Sequence, residues 1–241
     1  MLYILLPAYN EEKNIIKILK KIKKIKKKIS PFKIVVIDDC SKDNTKKLIK
    51  KKNNFDLIYR RHKKNKGLSL TLETGFKLIS NKAKNKDIIV TLDSDNTHPV
   101  AKIVEMTKKI SDSCDVVIAS RFQKGSKVKG VSFFRNLMSL GAKLLFKTFY
   151  SYKNLNDYTC NFRAYKFYVI KKLLKNRNFF KNEDFNIAAK IIIFLITKYN
   201  FIKIKEVPFN LGYDLKIGKS KMNIPKTILL TLKLILFKKI S

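Results

Sequence analysis

Asp93 and Asp95 are two carboxylates two residues apart, set in the stretch DIIVTLDSDNTHPV that runs from Asp87 to Val100. Carboxylates are hard oxygen ligands. They suit Mg²⁺ or Mn²⁺, and such an ion usually also takes phosphate oxygens from a substrate. The run Ile88-Ile89-Val90-Thr91-Leu92 ahead of them is short, apolar and β-branched, as a buried strand is. Both acids therefore stand at the end of a strand. In open α/β sheets the crevice beyond the carboxyl ends of the strands is where ligands sit. Aspartate is also a common turn and N-cap residue, so the pair alone does not decide between the two roles.

Other strand ends carry residues of the same kind. Asp38-Asp39 closes the apolar run Lys33–Ile37, and an acid there can take ribose or base hydrogen bonds. Tyr9 can stack on a base, with Glu11 beside it. Asn65-Lys66-Gly67 forms a turn where backbone can approach a ligand closely. Glu183 and Asp184 could supply a general base. They fit equally as acids at a helix N-terminus, favoured by the dipole. Each residue has an ordinary role as turn or cap, but their succession along the chain suits a nucleoside diphosphate.

The elements that must position these residues alternate. Tyr3–Leu6 reads as a strand and Pro7–Asn10 as a turn. Glu11 opens a helix that carries Ile15, Ile18, Leu19, Ile22, Ile25 and Ile29 at spacings of three and four. The lysines of Lys20–Lys28 form its wet face, and Ser30-Pro31 breaks it. Strands follow at Lys33–Ile37, Asp56–Tyr59, Ile88–Leu92 and Asp115–Ala119. Helices are expected over Lys46–Lys52, over Leu68–Ile79, and from Pro99 through Ile103, Val104, Met106 and Ile110. Strand–helix alternation predicts an α/β fold with a parallel sheet wrapped by helices.

The second half is less regular. Arg121–Gly130 reads as a loop and Val131–Tyr150 as a long Phe/Leu-rich helix. Asn156–Asn161 is polar, and Phe162–Tyr165 fits a short strand. Asn182–Tyr199 is expected to be helical, Phe201–Val207 a strand, Pro208–Met222 a loop and Pro225–Lys239 a final helix.

Composition narrows the class. The chain has 241 residues, of which 45% are hydrophobic, enough for a substantial core. Its formal net charge is +36, which points to nucleic acid, an anionic membrane surface or phosphorylated substrates. The charge is mostly lysine, spread along the whole chain. A nucleic-acid binder would cluster Arg with aromatics at base-reading positions, and would leave the Asp93/Asp95 pair unexplained. Cys40, Cys114 and Cys160 are too widely spaced for a zinc site or a disulfide framework and suit a reducing cytosol. Leu2–Leu6 lacks the basic start and cleavage site of a signal peptide. No apolar run approaches the ~20 residues that span a bilayer.

Taken together, the stretches LPAYNEEKNI, VVIDDCSKDNT, NKGLSLTLETGF, VTLDSDNTHPV, DVVIASRF, FFRNLMSLGAKLLF, NDYTCNFRAYK and IKEVPFNLGYDLKIGKSKM carry a resemblance. From residue 2 to about 222 the sequence resembles glycosyltransferase family 2, the inverting GT-A enzymes. Within that family it resembles the dolichyl-phosphate mannose synthase-like, polyprenyl-phosphate sugar transferase branch. The resemblance implies a GT-A domain over residues 1–222, followed at 223–241 by an amphipathic helix suited to a membrane interface. It implies that Pro7, Tyr9, Glu11, Asp39 and Asp93 hold the nucleoside. Asp95 would bind Mg²⁺ or Mn²⁺ on the diphosphate, with Asp93 close by. Arg121 and Arg135 would face the sugar phosphate and lipid phosphate, with Ser139 one helical turn on. Lys221 and Ser220 would belong to an active-site loop. Two departures stand out. Thr97 occupies a position where the branch commonly has a metal-binding Gln. Leu215-Lys216 precede Gly218 where the branch often has Arg, so Lys216 would act as a point charge rather than a fork.

The implied activity is transfer of a hexose from a nucleotide sugar, of GDP-mannose or UDP-glucose type, to a polyprenyl phosphate such as a dolichyl or undecaprenyl phosphate. The alternative is transfer to a saccharide of a surface glycan. Phe133, Phe134, Leu137, Leu140, Leu144, Leu145 and Phe149 lie mostly on one helical face, and Ile228–Phe237 is a second apolar stretch. Both either pack on the sheet or lie in a membrane interface, helped by the positive surface. The expected location is cytoplasmic, peripheral on the inner face of the cytoplasmic membrane. Partners would be the donor, the lipid phosphate and an anionic membrane, without nucleic acid and with a membrane-protein partner left open.

Overall fold

The structure is a computed structural model that describes residues 1–29, 31–51, 56–218 and 220–236, with no account of the side chains of 111–113. The helix ends expected at Lys52 and Lys239, Ser30 of the expected helix break, and Phe237 of the second apolar stretch lie outside the described residues.

The first half alternates as expected. In order come β1 (Leu2–Ala8), α1 (Ile15–Lys24), α2 (Lys26–Ile29), β2 (Phe32–Asp38), α3 (Thr45–Lys50) and β3 (Leu57–Arg61). Then follow α4 (Gly67–Ser80), β4 (Ile88–Thr91), α5 (Lys102–Ser113) and β5 (Val116–Ser120). The second half adds β6 (Lys127–Lys129), α6 (Phe133–Phe149), β7 (Arg163–Lys166), α7 (Phe167–Leu174) and α8 (Ile187–Lys198). β8 (Ile204–Pro208), β9 (Asn210–Gly212), a 3-10 turn at Tyr213–Leu215 and α9 (Ile224–Leu236) complete it.

Seven strands form one sheet in the order β3-β2-β1-β4-β7-β5-β8. All neighbours are parallel except β7, which runs antiparallel between β4 and β5. Helices cover the sheet, so β1, β4 and β5 are buried almost throughout. Continuous Ile/Leu/Val runs are what a doubly covered parallel strand requires. α1 buries Ile15, Ile18, Leu19 and Ile22 and turns its lysines outward. α4 comes so close to β1 that a Cβ on Gly75 would clash with the Leu5 side chain. Only a glycine lets the helix approach there.

Several boundaries differ from expectation for local reasons. Glu11–Asn14 is a turn that leads into α1, with the N–H groups of Asn14 and Ile15 both donating to Glu11 O and Glu11 N–H donating to Thr45 Oγ1 at 2.8 Å. α1 ends at Lys24, and Ile25 separates it from α2. α5 starts at Lys102, after a turn over Pro99–Ala101 in which Lys102 N–H donates to Pro99 O. α8 starts at Ile187 rather than Asn182, whose φ is +60°. The loops expected over Arg121–Gly130 and Pro208–Met222 contain β6 and β9, which pair with each other as a small separate ribbon. α7 had no counterpart in the sequence reading.

α6 does not pack its apolar face on the sheet. Phe146 is its buried residue. Phe133 is 83% exposed, and Phe134, Leu137, Leu140, Leu144, Leu145 and Phe149 are exposed with it. α9 lies against α6, burying Leu234 and Ile235 and leaving Ile228, Leu229 and Leu232 open. Tyr150 hydroxyl donates to Leu234 O at 2.8 Å and ties the two together. Among the described residues no helix is long and apolar enough to cross a membrane.

Candidate active site

The carboxyl ends of β1, β2, β4 and β5 open into one crevice of about 390 Å³. Pro7, Tyr9 and Glu11 reach it from the end of β1, Asp39 from β2, and Asp93 and Asp95 from β4. Arg121 comes from β5, and Arg135 and Ser139 from α6. Lys216, Ser220 and Lys221 close it from the loop after β9, and Asp184 borders it too. Of the residues picked out in the sequence as site residues, Asp38 lies outside this lining, and so does Glu183. Glu183 is hydrogen bonded to Asn186 and paired with Lys190 at 2.9 Å. Asp184 has Lys226 at 3.5 Å.

At the β2 end, the two acids divide. Asp38 is fully buried and structural, accepting from Tyr59 hydroxyl and Ser41 N–H at 2.8 Å. Asp39 accepts N–H groups from Lys66 and Gly67, each at 2.8 Å, and faces His62 Nδ1 at 2.7 Å. It therefore builds the Asn65–Gly67 turn, where Gly67 has a φ of +82°. His62 also reaches Thr74 Oγ1 at 2.9 Å. His62 was not anticipated, because it lies far from Asp39 in sequence.

The β4 acids differ in their freedom. Asp93 keeps 39% of its side chain exposed and accepts from Asn161 Nδ2 at 3.2 Å. Asp95 is buried and fully engaged. Its Oδ1 takes the N–H and hydroxyl of Thr97, at 3.2 and 2.7 Å, and its Oδ2 takes Lys216 Nζ at 2.7 Å. Burial pushes the Asp95 carboxyl up, but the Lys216 ammonium and His98 outweigh it and hold the group below its ordinary value. Burial lowers Lys216 in turn, and Asp95 more than restores it. Thr97 thus holds Asp95 in place with its hydroxyl. His98 was also missed. Its Nδ1 accepts Asp93 N–H at 3.2 Å, and its ring stacks on Phe162 at 5.1 Å, which props the loop from below.

Among the described residues no group of three or more His, Cys, Asp or Glu side chains gathers as a metal site. Asp93 and Asp95 nonetheless fit a hard divalent ion that takes its remaining ligands from water and substrate phosphate. Burial raises the Glu11 carboxyl, and hydrogen bonds from Lys221 and Asn14 offset this only in part.

The cations on the other side are less free than the sequence suggested. Arg121 does not present an open fork. Its Nε and Nη2 both donate to Asp157 at 2.8 Å, and Nη2 also donates to Thr159 Oγ1. Asp157 further accepts N–H groups from Arg121 and Cys160. Burial alone would raise the Asp157 carboxyl, but Arg121 and these hydrogen bonds hold it at about 2. Glu206 fixes the loop beneath by accepting the N–H groups of Asn156 and Asp157. Burial and the charge of Asp157 push the Cys160 thiol up to about 12. Arg135 donates to Tyr213 hydroxyl and, at 2.7 Å, to Ser220 Oγ. Both of these partners are exchangeable loop groups rather than buried acids.

A mostly parallel sheet carrying this crevice at its carboxyl edge is the GT-A fold of glycosyltransferases. The structure matches that of glucosyl-3-phosphoglycerate synthase from Mycobacterium tuberculosis, solved with Mn²⁺, UDP and phosphoglyceric acid. The TM-score is 0.66 at 15% identity, covering 97% of this chain and 78% of that one. The family model for Glycosyl transferase family 2 matches residues 3–174, and the chain belongs to that family. It is 30% identical over 221 residues to the dolichol-phosphate mannosyltransferase of Pyrococcus furiosus, covering 91% of this chain and 58% of that protein. The chain thus spans little more than half the length of that relative. It is 27% identical to the UDP-N-acetylglucosamine–dolichyl-phosphate N-acetylglucosaminyltransferase of Methanococcus voltae, covering 88% of this chain and 86% of that one.

The Asp157–Arg121 pair sets a stability test. Asp157→Asn leaves a buried guanidinium without its charge partner, a loss of about 3 kcal/mol at neutral pH. Because the folded carboxyl titrates at about 2, below its unfolded value, its contribution is present above about pH 4 and lost as pH falls towards 2. Thermal unfolding followed against pH should show the wild-type advantage over Asp157→Asn shrinking across that window. A gap that stays constant down to pH 2 would contradict the assignment.

Proposed function

We propose that this chain transfers a hexose from a nucleotide sugar to a polyprenyl phosphate at the cytoplasmic face of a membrane. The observation that carries the reading is α6. One helix holds Arg135 and Ser139 in the crevice and keeps Phe133, Phe134, Leu137 and Leu144 exposed. A phosphate on Arg135 would leave a prenyl tail free to follow that apolar surface. The similarity to relatives named for dolichyl-phosphate acceptors supports the same acceptor class. Those relatives are named for different sugars, so the proposal stops at a hexose.

Glycosyl transfer passes through an oxocarbenium-like state as the anomeric C–O bond breaks. A divalent ion held by Asp93 and Asp95 would neutralise the charge that gathers on the leaving diphosphate. The Mn²⁺ in the solved mycobacterial structure supports such an ion. Tyr9 and Pro7 would bracket the base, and the turn that Asp39 builds would carry the nucleoside. The acceptor oxygen of a prenyl phosphate is already anionic, so it needs no strong base. The chain's task is to bring two repelling phosphates together. Arg135, Lys216 and Lys221 supply mobile positive charge for that, with Arg121 held fixed behind them. A guanidinium suits phosphate through paired hydrogen bonds.

One observation favours the second reading, transfer to a saccharide hydroxyl. Asp184 borders the crevice and could act as the base that a hydroxyl requires.

The two readings separate by mutation. For a prenyl-phosphate acceptor, Arg135→Ala should remove a charge-assisted contact worth roughly 1.5–3 kcal/mol, a rate loss on the order of 10- to 200-fold. Arg135→Lys should recover part of it. Asp184→Asn should be mild, and Glu183→Gln milder still. A dead Asp184→Asn beside a near-normal Arg135→Ala, in a steady-state transfer assay, would favour the saccharide acceptor.

Membrane contact has its own check. The protein should sediment with anionic vesicles at low salt and be partly released by high salt, which screens the lysines. Leu137→Glu with Leu144→Glu on α6 should weaken sedimentation. A chain left in the supernatant at low salt would rule out the interface.

A further inference from the structure

The loop that follows β9 lines the mouth of the crevice as a strap, through Tyr213, Lys216, Ser220, Lys221 and Met222. It is fastened at several points. Lys216 pairs with Asp95, Asn14 Nδ2 donates to Ile217 O at 3.1 Å, Arg135 donates to Ser220, and Lys221 pairs with Glu11.

That pair lies where little water reaches it. The side chain of Lys216 is 11% exposed and that of Asp95 10%. Screening is weak at such burial, so the attraction is strong and so is the exclusion of a second cation. Thr97 meanwhile occupies Oδ1 of the same carboxylate. An ion arriving at Asp95 therefore finds one oxygen holding a hydroxyl and the other holding an ammonium. Asp93 alone keeps an open carboxylate.

We infer that Lys216 is a tethered cation that competes with the divalent ion for Asp95, so that the strap must let go before the ion binds. The inference rests on the reading that Asp93 and Asp95 hold that ion. Binding through a minor open state weakens apparent affinity by the fraction of chains that are open. Removing the competitor should restore it. Once released, the Lys216 ammonium is free to move onto the phosphates that accompany the ion, so total charge in the crevice stays balanced.

The test titrates Mn²⁺ alone into the full chain and counts free Mn²⁺ by its electron paramagnetic resonance signal, without reference to transfer. Lys216→Met should bind Mn²⁺ on the order of 10-fold more tightly than wild type. Lys216→Arg keeps a cation on the strap and should bind as weakly as wild type. Lys198→Met removes the same charge at the far end of α8 and should also match wild type. Asp95→Asn should abolish the gain when added to Lys216→Met. If Lys216→Met binds no better than wild type, or if Lys216→Arg gains as much as Lys216→Met, the competition is overturned while the metal reading stands. If neither wild type nor Lys216→Met binds Mn²⁺, the metal reading itself fails and takes the competition with it.

Discussion

A carboxylate in a half-closed crevice must have a partner, because an isolated buried charge is too costly to keep. Much of this site follows from that constraint. Parallel strands bury both faces in apolar residues, so their polar residues gather at the carboxyl ends, and here the acids converge. Each close acid then recruits its own partner. Asp95 takes Lys216, Glu11 takes Lys221, Asp157 takes Arg121, and Asp39 takes two backbone N–H groups and His62. The partners come from loops distant in sequence, so satisfying the acids also assembles the crevice.

The pairs are not equivalent. Asp157 and Arg121 are locked by a fork geometry and by backbone donors, which suits a rigid wall. Lys216 instead holds the Asp95 carboxylate, Lys221 holds Glu11 and the Asn10 carbonyl, and Arg135 holds two loop hydroxyls. Only the Arg135 contacts can be replaced by an incoming phosphate without leaving a buried charge alone, because Asp95 and Glu11 need another cation when their lysines leave.

Much of the fold was legible in the sequence, because its signals are local. β1, β2, β4 and β5 show as apolar runs, β-branched in all but β1, and α1 shows as isoleucines at helical spacing. Boundaries moved where backbone geometry interrupts the local pattern, as at Asn182, whose positive φ goes with a start of α8 only at Ile187. β6 and β9 are three residues each, too short for any period to register. β7 carries a fully buried arginine, Arg163, whose Nη atoms donate to carbonyls of Tyr158 and Ala188 while Nε has no partner, which disguises a central strand. At the site, residue types identified the crevice lining but not its internal pairing. Asp157, His62 and His98 stayed hidden, since their roles depend on which side chain folds against which. Arg121 was legible as a site residue, whereas its commitment to Asp157 was not.

The most direct measurement is transfer itself. The full chain would be incubated with a panel of nucleotide sugars and Mg²⁺ or Mn²⁺, with and without a polyprenyl phosphate, and lipid-linked sugar would be scored. The account predicts a lipid-linked hexose from at least one donor, formed only when the prenyl phosphate is present. Transfer to a saccharide with none to the prenyl phosphate, or no transfer from any donor in the panel, would contradict it.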